Sequence, residues 1–314
     1  MKIFITGGAG YTGSKLVDEL LKRNHKVTIC DTFWFGDYLA KNKNLKKIKC
    51  DINNLNSYHL KNHDVVVHLA SIANDPSSEL NPKLSWETIA LGTLHLCNLA
   101  KKNNIKKFIY ASSGSVYGVK KEKKVIETSE LEPISEYNKA KMTAERVIMS
   151  FKQDFNYTII RPATVCGLSK RMRLDVSVNM FTFQAFKNNK ITIIGGNQIR
   201  PNIHIDDLIR IYILSIEKRI FGIFNAGFEN ISIKNIAKKV QKNLTNTKIS
   251  FLESNDKRSY RISSNKLLKA GFKPKKNVNI AIKEMFQFFN SKEFKESSKM
   301  FTVKHMLRLK LNKN

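Results

Sequence analysis

The chain of 314 residues is 42% hydrophobic and 26% charged, a balance typical of a globular protein with a sizeable core. It contains no apolar run of about eighteen residues, as a membrane span needs, and no N-terminal signal-peptide pattern, so we expect a cytoplasmic protein. The formal net charge of +29 would suit an anionic partner such as nucleic acid, an anionic membrane or a phosphorylated substrate.

Short apolar runs alternate with longer amphipathic stretches through the first half of the chain. The runs that predict strands are Lys2–Thr6, Lys26–Cys30, Leu45–Cys50, Val65–Ala70, Lys107–Ser112 and Tyr157–Arg161. The stretches that predict helices are Thr12–Asn24, Leu55–Lys61, Pro82–Asn103 and Ser135–Phe155. This alternation predicts an α/β fold over residues 1–165, with a doubly wound parallel sheet covered by helices on both faces.

Three glycines, Gly7, Gly10 and Gly13, follow the first predicted strand and precede the first predicted helix. Glycine lets the backbone approach a pyrophosphate closely, and the helix N-terminus offers free N–H groups and the positive end of its dipole. Asp31 ends the second strand, where a carboxylate would bind the adenosine ribose hydroxyls and repel a 2′-phosphate. No Arg or Lys follows within residues 32–36. The pattern therefore predicts a dinucleotide site that prefers NAD over NADP.

Tyr137 and Lys141 lie four residues apart and hence on one face of a helix predicted to begin near Ser135. An unperturbed phenol has a pKa of roughly 10, so a tyrosine base needs cations nearby. The spacing alone is common on solvated helix faces. Upstream, however, the strand ending at Ser112 leads into a serine-rich segment, residues 113–118, at the carboxyl end of the sheet, where ligands of open α/β folds bind. Together these residues predict a catalytic site.

The alternation changes in the second half of the chain. A loop at Gly167–Arg173 precedes a predicted helix at Asn179–Asn188 and a strand at Ile191–Ile194. We predict that residues 166–290 form a smaller substrate-binding lobe, interleaved with the last elements of the sheet. Residues 291–314 form a basic tail, which either lies as an amphipathic helix on a membrane or partner or packs on its own domain.

The arrangement of the cysteines indicates whether to expect a metal site, and that of the lysines indicates whether to expect a polyanionic partner. The four cysteines are widely spread, without C-x-x-C spacing or a histidine at ligand spacing, and predict neither a disulfide framework nor a metal site. The excess lysines are scattered rather than clustered with aromatic residues. We therefore favour compositional bias and a phosphate-bearing ligand over a polyanion-binding surface. Nucleic acid and membrane are not expected partners, apart from a weak membrane contact of the basic tail.

These motifs in combination resemble those of the extended short-chain dehydrogenase/reductases, in particular the NAD-dependent epimerase/dehydratase family, over about residues 1–290. The resemblance implies a Rossmann-like domain with a C-terminal substrate lobe, NAD as cofactor, a nucleotide-diphosphate sugar as substrate, and a homodimer. It also implies that Tyr137 takes a sugar hydroxyl proton while hydride leaves the same carbon, that Ser113 hydrogen-bonds the developing oxyanion, and that Lys141 holds the nicotinamide ribose and lowers the pKa of Tyr137.

The resemblance further assigns binding residues. Those implied for the cofactor are Gly7, Gly10, Tyr11, Thr12, Gly13, Asp31, Asp51, Ile52, Leu69, Ala70, Ser71 and Lys141. Those implied for the substrate are Ser115, Asn179, Arg200 and Arg258. Guanidinium groups bind diphosphates well, although either arginine could instead form a surface or interdomain ion pair. Ile89 departs from the asparagine usual in the family, so one polar contact near the cofactor is expected to be missing.

The residues after Ser113 bear on the reaction. Family 4,6-dehydratases carry an Asp–Glu pair there, whereas this chain has Gly114 and Ser115. Dehydration and uronic-acid decarboxylation are therefore disfavoured, and Asp31 argues against an NADPH-consuming reductase. We predict a nucleotide-sugar epimerase, a 4-epimerase acting through a transient 4-keto sugar. The alternatives are an NAD(H)-linked 4-oxidoreductase or a dehydratase, and a degenerate family member that binds RNA or acidic surfaces.

Overall fold

The computed structural model describes residues 1–120, 122, 124–218, 220–253 and 259–311. Its strands are β1 (Lys2–Thr6), β2 (Lys26–Asp31), β3 (Leu45–Lys49), β4 (Val65–His68), β5 (Lys107–Ala111), β6 (Asn156–Pro162), β7 (Thr164–Cys166), β8 (Lys190–Ile194), β9 (Ile199–His204), β10 (Gly222–Ala226), β11 (Glu229–Ser232) and β12 (Lys248–Leu252). Among these residues, no helix is both long and apolar enough to cross a membrane.

The helices are α1 (Tyr11–Lys22), α2 (Ser57–Leu60), α3 (Asp75–Leu80), α4 (Pro82–Trp86), α5 (Gly92–Lys102), α6 (Glu136–Ser150), α7 (Ser177–Asn188), α8 (Ile205–Glu217), α9 (Ile233–Asn243), α10 (Asn265–Lys269), α11 (Val278–Phe289) and α12 (Thr302–Arg308). A π-helical turn, Glu87–Leu91, joins α4 to α5. The helix predicted over Pro82–Asn103 is therefore present, but it is not uniformly α-helical. The helix predicted over Ser135–Phe155 ends at Ser150, because the chain turns at Phe151 before β6 begins.

Seven parallel strands form the central sheet in the order β10-β6-β5-β4-β1-β2-β3. Chain order reverses beside β1, which pairs with β2 on one side and β4 on the other. In open α/β sheets, ligands bind at the carboxyl ends of the strands at such a switch point. β10 comes from the second half of the chain and extends the sheet beyond β6. The predicted doubly wound parallel α/β sheet is confirmed.

Both faces of the central sheet are covered, which explains why its inner strands are apolar throughout. Ile3 and Ile5 of β1 belong to a core that includes Leu16 and Val17 of α1 and the apolar side of α8. Phe4, between them, belongs to a second core with residues of α5 and α6. The period-two alternation of β1 thus places successive side chains in two different cores.

The second half of the chain forms a smaller lobe around a third core. Strands β12 and β8 pair in one small sheet, and β11, β9 and β7 pair in another. Helices α7, α9 and α11 supply most of the apolar side chains between them. The division into residues 1–165, 166–290 and 291–314 stays a prediction.

The described part of the C-terminal tail packs on its own chain. Phe301 joins the third core, with its ring 5.8 Å from that of Phe183. In α12, His305 Nε2 lies 2.8 Å from the carbonyl oxygen of Trp34. The Asn81 amide donates to the carbonyl oxygen of Leu311. These contacts correspond to the second of the two interpretations of the tail, a terminal helix on its own domain.

Candidate active site

A cleft of about 700 Å³ opens at the carboxyl ends of the central strands. All but one of the predicted cofactor-binding residues line it: Gly7, Gly10, Tyr11, Thr12, Gly13, Asp31, Asp51, Ile52, Leu69, Ala70 and Ser71. Ser113, Ser115, Tyr137 and Arg200 line the same cleft. The fold therefore brings the predicted cofactor, catalytic and substrate residues together, although their roles stay predictions.

The glycine loop packs too closely for larger residues. A Cβ atom on Gly13 would lie 2.2 Å from the carbonyl oxygen of Gly7, and one on Gly7 would lie 2.6 Å from the backbone nitrogen of Ala70. Gly7 also has a φ of +73°, which L-residues rarely adopt. Among the described residues, no side chain caps α1 at Gly10, and its first turn carries no acidic residue. Its free N–H groups therefore suit an anion such as a diphosphate.

The carboxylate of Asp31 is fixed at the end of β2. Its two oxygens accept hydrogen bonds from the backbone nitrogens of Ala9 and Phe33, at 2.9 and 2.8 Å. Burial raises the pKa of Asp31, while these hydrogen bonds and Arg171 oppose the rise. Each oxygen keeps acceptor capacity toward the cleft. This arrangement fits the two hydroxyls of an adenosine ribose.

Ser113 caps the 3₁₀ turn Gly114–Tyr117 that follows β5, so its backbone is held at the mouth of the cleft. Its hydroxyl oxygen lies 2.7 Å from that of Ser115, which in turn donates to the side-chain oxygen of Asn138. Tyr137 enters the cleft from the first turn of α6, close enough to the Ser113 hydroxyl that this group lowers the pKa of the phenol. The hydroxyl and the phenol proposed for catalysis therefore lie near each other in the cleft.

Lys141 lies one helical turn below Tyr137 and is 2% exposed. Its ammonium nitrogen donates to the carbonyl oxygen of Ala111 at 2.7 Å and lies 5.9 Å from the ring centroid of Tyr137. Burial lowers the pKa of Lys141 to about 7, with Glu145 opposing the change. Burial also raises the pKa of Tyr137, and this outweighs the lowering that its hydrogen-bonding and cationic neighbours produce. The predicted lowering of that pKa by Lys141 stays a prediction.

A buried ion pair lies behind the residues that are predicted to be catalytic. Arg161 Nη2 lies 2.7 Å from Glu145 Oε2, and the two side chains are 3% and 2% exposed. Ser112 also donates to Glu145, and Arg161 donates to the hydroxyl of Tyr117 at 2.7 Å. Each charge is therefore both paired and hydrogen-bonded, as a buried charge requires. The network connects the end of β5 to α6 and β6.

Two of the predicted substrate residues, Asn179 and Arg258, are not among the described residues that line the cleft. Asn179 is fully buried, and its amide bonds Gly167, Tyr11 and Arg173, so it does not reach the cleft surface. Its hydrogen-bonding atoms hold the 167–173 loop, and the prediction that Asn179 contacts the substrate stays a prediction. Arg258 lies outside the described residues.

Ile89, at the position where the family usually has asparagine, lies in the π-helical turn. Ile89 is fully buried in the second core, and its carbonyl oxygen accepts from Thr93. The preceding residue, Thr88, lines the cleft instead, and its buried hydroxyl has no hydrogen-bond partner among the described residues. Thr88 stands next to the position of the family asparagine. The π turn is not visible in a sequence pattern.

Other cleft residues were not predicted from sequence. They come from the loop after β2, from α3, from the 167–175 loop and from the C-terminal tail, and include Trp34, Phe35, Asp75, Arg171, Arg173, Thr302 and Met306. Asp75 lies close to Tyr137, whose pKa it raises, and accepts from Ser135 at 2.5 Å. Only the three-dimensional fold brings these distant segments to one site.

The chain is similar to known enzymes. It is 34% identical to an uncharacterized UDP-glucose epimerase of Bacillus subtilis, over 67% of this chain and 71% of the relative. It is 29% identical to UDP-glucuronic acid decarboxylase 4 of Arabidopsis thaliana, over 94% of this chain and 70% of the relative. Among solved structures, it is similar to UDP-glucuronic acid 4-epimerase from Bacillus cereus in complex with UDP-glucuronic acid and NAD, with a TM-score of 0.82, 27% identity and coverage of 92% and 98% of the two chains.

The family comparison covers most of the chain. The profile of the NAD dependent epimerase/dehydratase family matches residues 3–227. This range begins in β1, contains Ser113, Tyr137 and Lys141, and ends just after β10, so it takes in the whole central sheet. The chain belongs to the NAD dependent epimerase/dehydratase family.

Proposed function

We propose that the protein is an NAD-dependent epimerase of nucleotide-diphosphate sugars, a 4-epimerase that works through a transient 4-keto sugar. The observation that carries the proposal is that Tyr137 and Ser113 line the same cleft as the glycine loop. The similar proteins named as UDP-sugar epimerases support the choice of substrate class.

The residues of the cleft fit NAD. The uncapped N-terminus of α1 would bind the pyrophosphate, and Asp31 would bind the adenosine ribose. NAD, when bound, supplies an acceptor for the hydride of the sugar carbon and a donor for its return. The chain itself supplies the proton chemistry. Tyr137 takes the proton of the sugar hydroxyl as the carbon is oxidised, and it returns a proton to the same oxygen when the carbon is reduced.

Ser113 donates a hydrogen bond to the sugar oxygen while it becomes a carbonyl oxygen. Lys141 is held below the phenol and, once protonated, stabilises the phenolate by its charge. Arg200, at the second lobe's edge of the cleft, would bind the substrate diphosphate. Arg258 is proposed for the same task from its sequence alone.

A second candidate is elimination or decarboxylation, which needs a further acid or base. Gly114 cannot readily carry one, because a Cβ atom there would lie 3.2 Å from the carbonyl oxygen of Pro162. Ser115 offers only a hydroxyl. Asp75, however, is a carboxylate on the cleft surface close to Tyr137. It keeps this candidate open, together with the similarity to a decarboxylase over 94% of the chain.

The proposed assembly is a homodimer through α5 and α6. Their outer faces carry exposed apolar side chains, with Leu94 41% and Met149 39% exposed, and the preceding π turn exposes 57% of Leu91. Such side chains suit a helix-to-helix interface. Light scattering coupled to gel filtration should give twice the 36.0 kDa chain mass, and a mass of one chain would contradict the proposal.

The decisive experiment incubates the protein with UDP-, GDP-, dTDP- and CDP-sugars and follows the products by mass spectrometry and NMR. A mass-neutral inversion of one carbon supports the epimerase. Loss of water or carbon dioxide supports the second candidate, and stoichiometric NADH formation identifies an oxidoreductase. The proposal fails if the protein holds no NAD, transforms no sugar, and binds RNA with a steep salt dependence.

Tyr137→Phe tests the catalytic assignment. Loss of the phenol oxygen removes the proton acceptor, so kcat should fall at least about 1,000-fold, while NAD binding is kept. Tyr58→Phe is the matched control, because the Tyr58 side chain is 75% exposed and should leave kcat unchanged. A Tyr137→Phe enzyme with more than a tenth of the wild-type rate would remove Tyr137 from the mechanism.

A further inference from the structure

One buried cation of the cleft has no task in the function proposed above. Arg171, in the loop between β7 and α7, is 4% exposed and lines the cleft. Its guanidinium carbon lies 4.1 Å from the ring centroid of Phe35, in the loop after β2. Its terminal Nη2 donates to the hydroxyl of Thr302, the first residue of α12, at 3.3 Å. Two segments distant in sequence therefore contact this side chain.

The guanidinium is incompletely satisfied. Its Nε is buried and has no hydrogen-bond partner among the described residues. Burial, with Arg173 nearby, lowers the pKa of Arg171 only to about 10, so the group stays protonated at neutral pH. Arg173 forms an ion pair with Asp175 at 2.8 Å, whereas none of the ion pairs found among the described residues includes Arg171. A buried, charged and partly unpaired donor needs an anion.

The position of Arg171 indicates which anion. Its charge acts on Tyr11, at the glycine loop, and on Asp31, at the end of β2. Residues 7–13 contain no Lys or Arg, so the loop offers no cation to a diphosphate that carries two negative charges. Asp31, in turn, is already suited to neutral ribose hydroxyls. The anion missing from this part of the cleft is therefore a diphosphate.

We propose that Arg171 binds the pyrophosphate of NAD from the side opposite the glycine loop, and that α12 holds it there through Thr302. The inference rests on the proposed placement of NAD in this cleft. It assigns a ligand-binding role to a residue from the second lobe and a positioning role to the C-terminal tail. Both sides of the pyrophosphate are then bound: one by backbone groups, the other by a guanidinium.

The contacts of α12 support its positioning role. The backbone nitrogen of Thr302 donates to Asp175 at 2.9 Å, and the nitrogen of Leu174 donates to the carbonyl oxygen of Met300 at 2.8 Å. The His305 ring lies 5.3 Å from that of Phe35, on which Arg171 stacks. The tail thus fixes the arginine directly and also fixes the two loops on either side of it.

The test measures binding to cofactor-free protein by titration calorimetry, without any sugar. The ligands are NAD, ADP-ribose and adenosine. Arg171→Gln should weaken the binding of NAD and ADP-ribose about 10- to 100-fold, the range for a hydrogen bond to a charged group. It should leave the binding of adenosine unchanged, because adenosine has no phosphate. Thr302→Val should cause a smaller loss of affinity for NAD and ADP-ribose. Arg146→Gln, at an exposed site of α6, is the matched control and should change none.

The outcomes separate this inference from the proposed function. If wild-type protein binds NAD and Arg171→Gln binds it equally well, the inference is wrong while the proposed function stands. Equal weakening of adenosine and NAD would also overturn it, since Arg171 would then act on the ribose site or on folding. If wild-type protein binds no NAD, the proposed function fails first. Should Arg171→Gln not fold, Arg171→Lys and Thr302→Val give the same comparison.

Discussion

The two ends of the cleft differ in the kind of atoms that form their contacts. At the glycine loop, contacts are made by backbone atoms packed so closely that a single Cβ would overlap them. At the end proposed for catalysis, the contacts are made by side chains, with Lys141 buried beside Tyr137 and the Glu145–Arg161 pair buried behind it. The first region depends on shape and the second on paired charge. Substitutions should therefore damage them in different ways, and three predictions test the difference.

The largest effect on stability is expected at the buried ion pair. Glu145→Ala leaves the Arg161 guanidinium buried without its partner, and this should lower the free energy of unfolding by about 3–5 kcal/mol. Denaturant unfolding followed by circular dichroism measures the change. Glu19→Ala, which breaks the exposed Lys22–Glu19 pair on α1, should cost less than about 1 kcal/mol. Similar losses for both variants would mean that burial does not distinguish the pairs.

A smaller loss of stability is expected for a substitution in the glycine loop. Gly13→Ala forces a Cβ against the carbonyl oxygen of Gly7 and should lower the free energy of unfolding by about 1–3 kcal/mol. At Gly10 the nearest atom to a Cβ is 3.3 Å away and φ is −73°. Gly10→Ala should therefore keep the stability and weaken NAD binding, because its methyl group faces the cleft. Thermal melting and NAD titration of both variants check this, and equal stability of the two would contradict the close-packing argument.

The third effect is a dependence of stability on pH that comes from the charge of Lys141. Its pKa is about 7 in the folded protein and 10.5 in its ordinary state. Between those values the unfolded chain binds more protons, so this residue makes stability rise with pH above 7, by at most about 1.4 kcal/mol per pH unit. Lys141→Met should remove that slope from cofactor-free protein. Unfolding measured at pH 7, 8 and 9 for both proteins gives the difference, and parallel curves would show that Lys141 has an ordinary pKa.

The same division explains what could be predicted from the sequence. The strand, the glycines and α1 are contiguous, so hydrophobic period and glycine spacing are enough to place Gly7, Gly13 and Asp31 in one cleft. Tyr137 and Lys141 follow from helix spacing. The ion pair between Glu145 and Arg161 was not predicted, because the two residues lie on different elements and their pairing depends on how α6 packs on the sheet.

The rest of the site depends on tertiary structure. Thr88 lines the cleft from within a π turn, and the buried Asn179 side chain hydrogen-bonds the 167–173 loop. Arg171 contacts residues from two distant segments, the loop after β2 and helix α12. A pattern in one sequence does not show which distant segments come into contact. For the same reason the sequence left two alternatives for the C-terminal tail.

The position of α12 beside the cleft has a consequence for the folding of the nascent chain. The contact between His305 and Trp34 joins residues 271 positions apart. The central sheet is complete once β10 has been synthesised, but Thr302 and Met306 leave the ribosome only about eighty residues later. If α12 positions Arg171 as proposed, the nascent chain should reach full cofactor affinity only after α12 has been synthesised and has docked.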